Sequence, residues 1–303
     1  MNTLVVVLGP TGVGKSKISL QLANYFNTEI ISADSRQFYR ELKIGTAAPS
    51  AEDMNIIPHH FIQTKSIIEY YNVSDFETEA LQVINQLFLK EKNPIILTGG
   101  SMLYIDTICK GIDDIPTVDP GIRKEVVDWY EKNGLEALRN WLLKIDPEYY
   151  QIVDLNNSKR LLHAVEIFQM TGKSYTSFRK NIIKERPFHI LKIGINQDRK
   201  ILYERINQRV IQMMEAGLLD EAKTVYQHRK LNSLNTVGYK ELFSFLDGEC
   251  TLDEAIDLIQ RNTRKYVRKQ LTWFRRDSEI SWFEPEQYQE IISYIDKKMK
   301  NYV

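Results

Sequence analysis

Four places in this chain carry residue types at spacings that suit chemistry. Gly9-Pro10-Thr11-Gly12-Val13-Gly14-Lys15-Ser16 fits the pattern G-x-x-x-x-G-K-[ST] at every fixed position. Its glycines let the loop wrap an anion with N–H groups pointing inward, and the following helix turns its positive end to the same spot. Lys15 adds a mobile charge and the Ser16 hydroxyl can hold Mg²⁺. Nucleotide- and ATP-binding proteins use such loops, but the loop itself establishes only phosphate or diphosphate binding. Asp34, in Ala33-Asp34-Ser35-Arg36-Gln37, is a candidate general base, and an Asp there can equally cap the next turn. Ser101 follows the pair Gly99-Gly100, where a ligand can approach the backbone closely and meet a hydroxyl. Arg205 and Arg209, four apart on one helical face, would neutralise a diphosphate leaving group or pair with Glu204 and Glu215; the spacing does not choose.

The elements that must position these residues follow from hydrophobic periodicity. Leu4 to Leu8 is a short apolar, β-branched strand of the kind buried in parallel sheets, and Lys17 to Tyr25 reads as a helix with Ile18, Leu22 and Tyr25 on one face. Glu29 to Ala33 and Pro94 to Thr98 are further strands, so Asp34 and the Gly99-Gly100-Ser101 turn sit at carboxyl ends, which border the ligand crevice of an open α/β sheet. Between them, Ile44 to Phe76 is loop-rich, and Ser74 to Lys90 is a helix opened by a Ser/Asp cap. The adjacent His59 and His60 suit a structural or substrate-positioning role better than a metal site, because neighbouring side chains seldom converge on one ion.

From Asp113 the pattern turns wholly helical, over Ile122–Asn133, Leu135–Ile145, Pro147–Val153 and Lys159–Thr171, and strand character returns at Phe188 to Ile195. The expected fold is α/β: a P-loop NTPase-like parallel sheet core over 1–112 and 186–303, with an inserted all-helical domain over 113–185. Asp198 to Tyr226 is a helical stretch, Asn235 to Lys240 a polar loop entering a helix, and Leu252 to Arg276 a long helix with Ile256, Val267, Leu271 and Phe274 as its buried stripe.

At 303 residues and 43% hydrophobic content the chain has an ordinary globular composition. No stretch approaches the roughly 20 apolar residues of a membrane span, and no basic leader opens the chain, so a cytoplasmic protein is expected. Cys109 and Cys250 lie far apart without metal-ligand spacing and read as buried reduced thiols. The net charge is zero, yet Ser158 to Ile280 holds 23 Lys plus Arg against 15 Asp plus Glu. A basic portion beside a phosphate loop points to a polyanionic partner. Arg264, Lys265, Arg268, Lys269, Arg275 and Arg276, accompanied by Tyr266 and Trp273 on one helix, suit RNA, where phosphates take the charge and unstacked bases the rings, and by themselves suit a solvated helix face equally well.

In order, the stretches from Gly9 to Ser16, Ile31 to Tyr39, Ile44 to Ala47, Pro58 to His60, Thr98 to Tyr104, Val237 to Tyr239 and Thr263 to Arg275 resemble the tRNA dimethylallyltransferases, also called tRNA isopentenyltransferases, over nearly the whole chain. The resemblance implies transfer of the dimethylallyl group of dimethylallyl diphosphate to N6 of the adenosine 3′-adjacent to the anticodon, with release of diphosphate and with Mg²⁺ as cofactor. It implies catalytic roles for Asp34, Ser101 and Arg209. It also implies RNA contacts at Asp34, Ser35, Arg36, Gln37, Ser101, Arg123, Lys159, Arg160, Leu161, Leu162, His163, the loop Asn235, Thr236, Val237, Gly238, Tyr239 and Lys240, and the helical run Arg268, Lys269, Gln270, Leu271, Thr272, Trp273, Phe274 and Arg275.

The partners so implied are a tRNA anticodon stem-loop and the diphosphate donor, with no membrane and a monomeric enzyme expected. Ser101 stands where the family more often has Thr, which keeps the hydroxyl; Ala48 stands where Lys is frequent, which removes a charge. The sequence reaches Val303 without the zinc finger of some eukaryotic relatives, so a bacterial type is expected. Two other classes remain: a P-loop small-molecule kinase with the helical insertion as its lid, and an RNA-binding module that uses the loop as a phosphate clamp. An ordinary P-loop phosphotransferase commonly carries an acid for Mg²⁺ where this chain has Thr98-Gly99, which argues against the kinase.

Overall fold

The computed structural model describes residues 1–301. Its sheet is built from β1 (Thr3–Leu8), β2 (Ile30–Ser32), β3 (His59–His60), β4 (Ile95–Gly99), β5 (His189–Ile195) and β6 (Ser281–Phe283), in the order β3-β2-β4-β1-β5-β6. Every pairing is parallel. All six residues of β1 are buried because the sheet is covered on both faces. Leu4, Val6 and Leu8 pack into one core with α3 (Val73–Leu89) and α4 (Met102–Lys110), while Val5 and Val7 pack into another with α1 (Lys15–Tyr25), α9 (Arg199–Glu215) and α13 (Tyr288–Lys300). A continuous apolar run is what such a strand requires.

A third core joins Phe38, Tyr39 and Leu42, just beyond β2, to Leu218 and Ala222 of α10 (Leu218–Val225), Tyr239 and Leu242 of α11 (Tyr239–Leu246), and Ala255 and Ile259 of α12 (Leu252–Phe274). The turn that follows Asp34 is therefore seated on packed helices.

The chain divides into two compact units, one of Met1–Cys109 with the chain from Glu185 onward, the other of Lys110–Lys184. The second unit contains α5 (Pro120–Ile145), α6 (Pro147–Ile152), α7 (Ser158–Thr171) and α8 (Tyr175–Phe178). It has its own apolar core, with Val126, Leu138, Leu142, Leu161 and Val165 at the centre. Its two ends are joined by Lys184 N donating to Lys110 O at 2.8 Å.

Several elements differ from the sequence reading, each for a local reason. Tyr25 is 53% exposed, and Phe26 packs on the core in its place. The segment expected to be loop-rich contains α2 (Ala51–Ile56), closed by a Ser50/Asp53 capping box, and the edge strand β3. Helix α3 is capped by Asn72, whose side chain takes the N–H of Ser74 and Asp75. The stretch 198–226 is two helices because Gly217 adopts φ 99° between them. The two helical runs 122–133 and 135–145 form one element broken at Gly134 (φ 78°). Strand β6 was not expected, since three residues are too few for a period-2 signal to stand out, and α13, whose Ile291, Ile292 and Ile295 are buried at helical spacing, was not expected either. Cys109 is buried, whereas Cys250 is only half-buried.

Candidate active site

The phosphate loop follows β1, Asp34 follows β2 and Ser101 follows β4, so the three sequence-identified groups meet at the carboxyl edge of adjacent strands. They line a cleft of about 910 Å³ together with Arg205 and Arg209 of α9, Asn235 to Gly238 before α11, and Thr263 and Tyr266 of α12. Ile44, Val210, Met213, Leu218, Val237 and Ile259 give one part of this cleft an apolar lining.

At the cationic end, Lys15 is half-buried with Nζ on Pro10 O at 2.9 Å. Burial, with the Arg209 guanidinium adding to it, pushes the Lys15 ammonium down to about 7, against the opposing pull of Asp34. Burial also lowers the Arg209 value, and Asp34 again acts in the other direction. Two cations share a poorly solvated space with one carboxylate, an arrangement that an incoming diphosphate would stabilise.

Asp34 caps its turn with one oxygen only. Oδ1 accepts from Arg36 N at 2.9 Å and Gln37 N at 3.3 Å, capping the turn. Oδ2 has no hydrogen-bond partner among the described residues, and the residue lines the cleft. Ser101, 8% exposed, fixes this turn from the next strand: its Oγ accepts from Ser35 N at 2.8 Å and bonds Ser35 Oγ at 3.1 Å. Burial, then the Asp34 charge, push the Tyr266 hydroxyl up to about 12, so at neutral pH it is a hydrogen-bond donor.

Two fixing residues carry no local sequence signal for their role. Gln270 of α12 is fully buried; its Oε1 accepts from Thr11 N at 2.9 Å and its Nε2 donates to Gly100 O at 2.8 Å, tying the phosphate loop to the turn after β4. A Cβ on Gly100 would come within 2.5 Å of that Nε2, which is why the position carries no side chain. Glu221 of α10 holds the other wall. Its carboxylate accepts from Lys43 N and Ile44 N at 2.8 Å, from Gly45 N at 2.9 Å, and from the Tyr239 hydroxyl at 2.6 Å. Gln37 reaches the same loop, donating from Nε2 to Thr46 O at 3.3 Å and Ala47 O at 3.2 Å while Ser32 Oγ donates to its Oε1 at 2.9 Å.

The residues expected at RNA separate into distinct environments. Asp34 to Gln37, Ser101, Asn235 to Gly238 and Lys240 line the cleft. Arg268, Leu271, Thr272 and Arg275 line a second pocket, and Lys269 is exposed. Trp273 is 38% exposed and donates from Nε1 to Asp106 Oδ2 at 2.8 Å. In the second unit Lys159 and Arg160 are exposed, Leu162 is half-buried, and Arg123 and His163 both approach Glu166, at 3.5 and 3.6 Å. Leu161, Tyr239, Gln270 and Phe274 are buried and engaged in packing or internal hydrogen bonds. Contiguous runs on a helix include its inward-facing positions, so a motif taken whole overcounts the accessible residues. His60 Nε2 lies 2.7 Å from Glu29 Oε2 and His59 Nδ1 2.7 Å from Ile57 O, which gives each ring a structural contact.

The family model for IPP transferase matches residues 37–277. The chain is 58% identical over 298 residues to tRNA dimethylallyltransferase 1 of Bacteroides fragilis, covering 98% of this chain and 99% of that one. It is 47% identical to the tRNA dimethylallyltransferase of Christiangramia forsetii over 98% and 99% of the two chains. Among solved structures it is similar to the tRNA isopentenylpyrophosphate transferase of Bacillus halodurans (38% identity, TM-score 0.72, 99% and 97% covered). It is also similar to a eukaryotic dimethylallyltransferase acting on tRNA (26% identity, TM-score 0.83, 99% and 80% covered).

Proposed function

This chain belongs to the tRNA dimethylallyltransferase family and is a prenyltransferase that transfers a dimethylallyl group to tRNA; from that premise we propose its donor, its acceptor atom and its working residues. The donor is dimethylallyl diphosphate, and the acceptor is N6 of the adenosine 3′-adjacent to the anticodon, presented by the anticodon stem-loop. The observation that carries this reading is the placement of Asp34 in one cleft with Lys15 and Arg209, one carboxylate oxygen being left over from the turn it caps.

The N6 amine is a weak nucleophile because its lone pair is delocalised into the ring. As N6 bonds the allylic C1, the C1–O bond to the diphosphate breaks and the N6 proton passes to Asp34 Oδ2. Lys15, Arg209 and the loop N–H groups take up the charge that develops on the leaving diphosphate. The Thr11 N–H is already held by Gln270, so the cradle is made by the other amides of the loop. Ser101 acts through its bonds to Ser35, holding the Asp34 turn in register with the phosphate loop. The apolar lining around Ile44, Val210 and Met213 receives the hydrocarbon, and Ser35, Arg36 and Gln37 hold the extruded base.

The residues present fit Mg²⁺. Ser16 lines the cleft, its hydroxyl has no partner among the described residues, and no group of three His, Cys, Asp or Glu there forms a closed cage for an ion. A hard cation held by one hydroxyl, water and substrate phosphates is the usual Mg²⁺ arrangement, and when bound it would neutralise diphosphate charge. We place the activity in the cytoplasm, where tRNA is found, and in a single copy of the chain, since one chain supplies every residue named.

Asp34→Asn tests the assignment cleanly, because the amide oxygen can still cap the turn. Single-turnover transfer should fall about 10²- to 10⁴-fold with RNA and donor affinities maintained. A wild-type rate in this variant would remove Asp34 from the chemistry.

A further inference from the structure

Along the reaction cleft, helix α9 changes character from one end to the other. Arg205 and Arg209 line the cleft first, then Val210 and Met213, and last Ala216, the residue that caps the helix. A donor with its diphosphate at the two cationic turns therefore lays its hydrocarbon over Val210 and Met213. Between those two residues the helix rises about 4.5 Å, the extent of one extended isoprene unit. A second unit would run on to Ala216 and Gly217.

Ile44 stands at that point. Its Cδ1 lies 3.9 Å from the place a Cβ on Gly217 would take, so this loop side chain reaches across the cleft to the end of α9. Gly217 holds φ 99°, which favours glycine, and it leaves the space for Ile44 to fill. The wall is fixed from both sides of the residue. Ile44 N donates to Glu221 Oε2 at 2.8 Å, and Ile44 O accepts from Ala47 N at 2.9 Å. Glu221 is itself held by the hydroxyl of Tyr239, which is fully buried. Leu218 and Ile259, buried in the third core, also line this part of the cleft. A wall packed in this way does not widen to admit further methylenes.

We propose that Ile44 sets the chain length of the prenyl donor, closing the apolar end of the cleft so that one isoprene unit is accepted and two are refused. This rests on dimethylallyl diphosphate as the donor and on the placing of its hydrocarbon in the apolar part of the cleft. It does not depend on which group takes the N6 proton. Glu221 enters as a positioning residue, because it holds the Ile44 backbone while the Ile44 side chain meets the hydrocarbon.

The test uses the full chain, unmodified anticodon stem-loop RNA and two donors, dimethylallyl and geranyl diphosphate. Both would react by one step: N6 bonds C1, the C1–O bond breaks, the N6 proton passes to Asp34 and diphosphate leaves. In the wild type kcat/KM for the ten-carbon donor should lie about 100-fold or more below that for the five-carbon donor. Ile44→Ala should raise the ratio of the two about 10- to 100-fold, and Ile44→Val, which removes only the Cδ1 methyl, by a smaller factor. A general loosening of the loop would lower both rates together and leave the ratio unmoved, and the Tm of each variant shows that folded protein is being compared. Equal use of the two donors by the wild type, an unmoved ratio in both Ile44 variants, or a rise confined to Met213→Ala would overturn the proposal and leave dimethylallyl diphosphate as the donor. Absence of any transfer from dimethylallyl diphosphate would remove the donor reading, and this proposal with it.

Discussion

Lys15 carries its charge into a space where burial and Arg209 both oppose it, and its value of about 7 against an ordinary 10.5 has a direct consequence. Between those two values the donor-free folded protein binds fewer protons than the unfolded chain, so its stability rises with pH across that window. A diphosphate reverses the balance by favouring the ammonium, so donor binding should take up close to one proton at about pH 8.5 and weaken as pH rises above 7. Calorimetry in two buffers of different ionisation enthalpy measures this uptake. Its presence in the wild type and absence in Lys15→Gln is the expected result, and equal uptake in both would show that another group titrates. At this scale the sequence was informative about identity more than about state. The placement of Lys15, Ser16 and Asp34 at one cleft was legible from motif and strand-end position, and the capping reading of Asp34 is seen on one oxygen, while its role as base is the proposal made above. The depressed Lys15 value was not legible, because it arises first from burial in the folded cleft and then from Arg209, which only the tertiary fold brings near.

At the scale of elements, the cleft is shaped by loops that distant helices hold in place. Gly45 abuts the Tyr239 ring, and a Cβ at Gly45 would lie 2.5 Å from the Tyr239 hydroxyl. Tyr239 cannot yield, being fully buried and bonded to Glu221, the residue that also holds the Lys43 to Gly45 amides. Gly45→Ala should therefore displace the loop, costing about 1–3 kcal/mol of stability in a denaturant titration, and should lower kcat/KM for RNA through the Gln37 contacts to Thr46 and Ala47. A variant as stable and active as wild type would mean the loop position is unimportant. The run Ile44-Gly45-Thr46-Ala47 was visible as part of the family pattern, but nothing local revealed that Glu221 fixes it. The acid stands in a helix of its own, and only the tertiary fold brings it to the loop. The same holds for Gln270, whose place within a basic run suggested an RNA contact and whose burial makes it a clamp between two loops.

For the molecule as a whole, the parallel sheet and the helical composition of the middle segment were legible because buried parallel strands are written as unbroken apolar runs and helices as amphipathic ones. Among the elements that escaped, α2, β3 and β6 are very short and α13 lies outside the recognised motifs. The zero net charge with a basic excess of 23 over 15 in Ser158 to Ile280 fits a protein that meets RNA without being basic throughout. The reading we propose is of an enzyme that uses its phosphate loop for a diphosphate donor and leaves ATP out of the reaction. The direct test is to incubate the purified chain with unmodified anticodon stem-loop RNA, dimethylallyl diphosphate and Mg²⁺, without ATP, and to weigh the RNA by mass spectrometry. A gain of one dimethylallyl group on adenosine, with diphosphate released, is the predicted result. No gain, accompanied by phosphate transfer once ATP is supplied, would contradict the account and assign the loop to kinase chemistry.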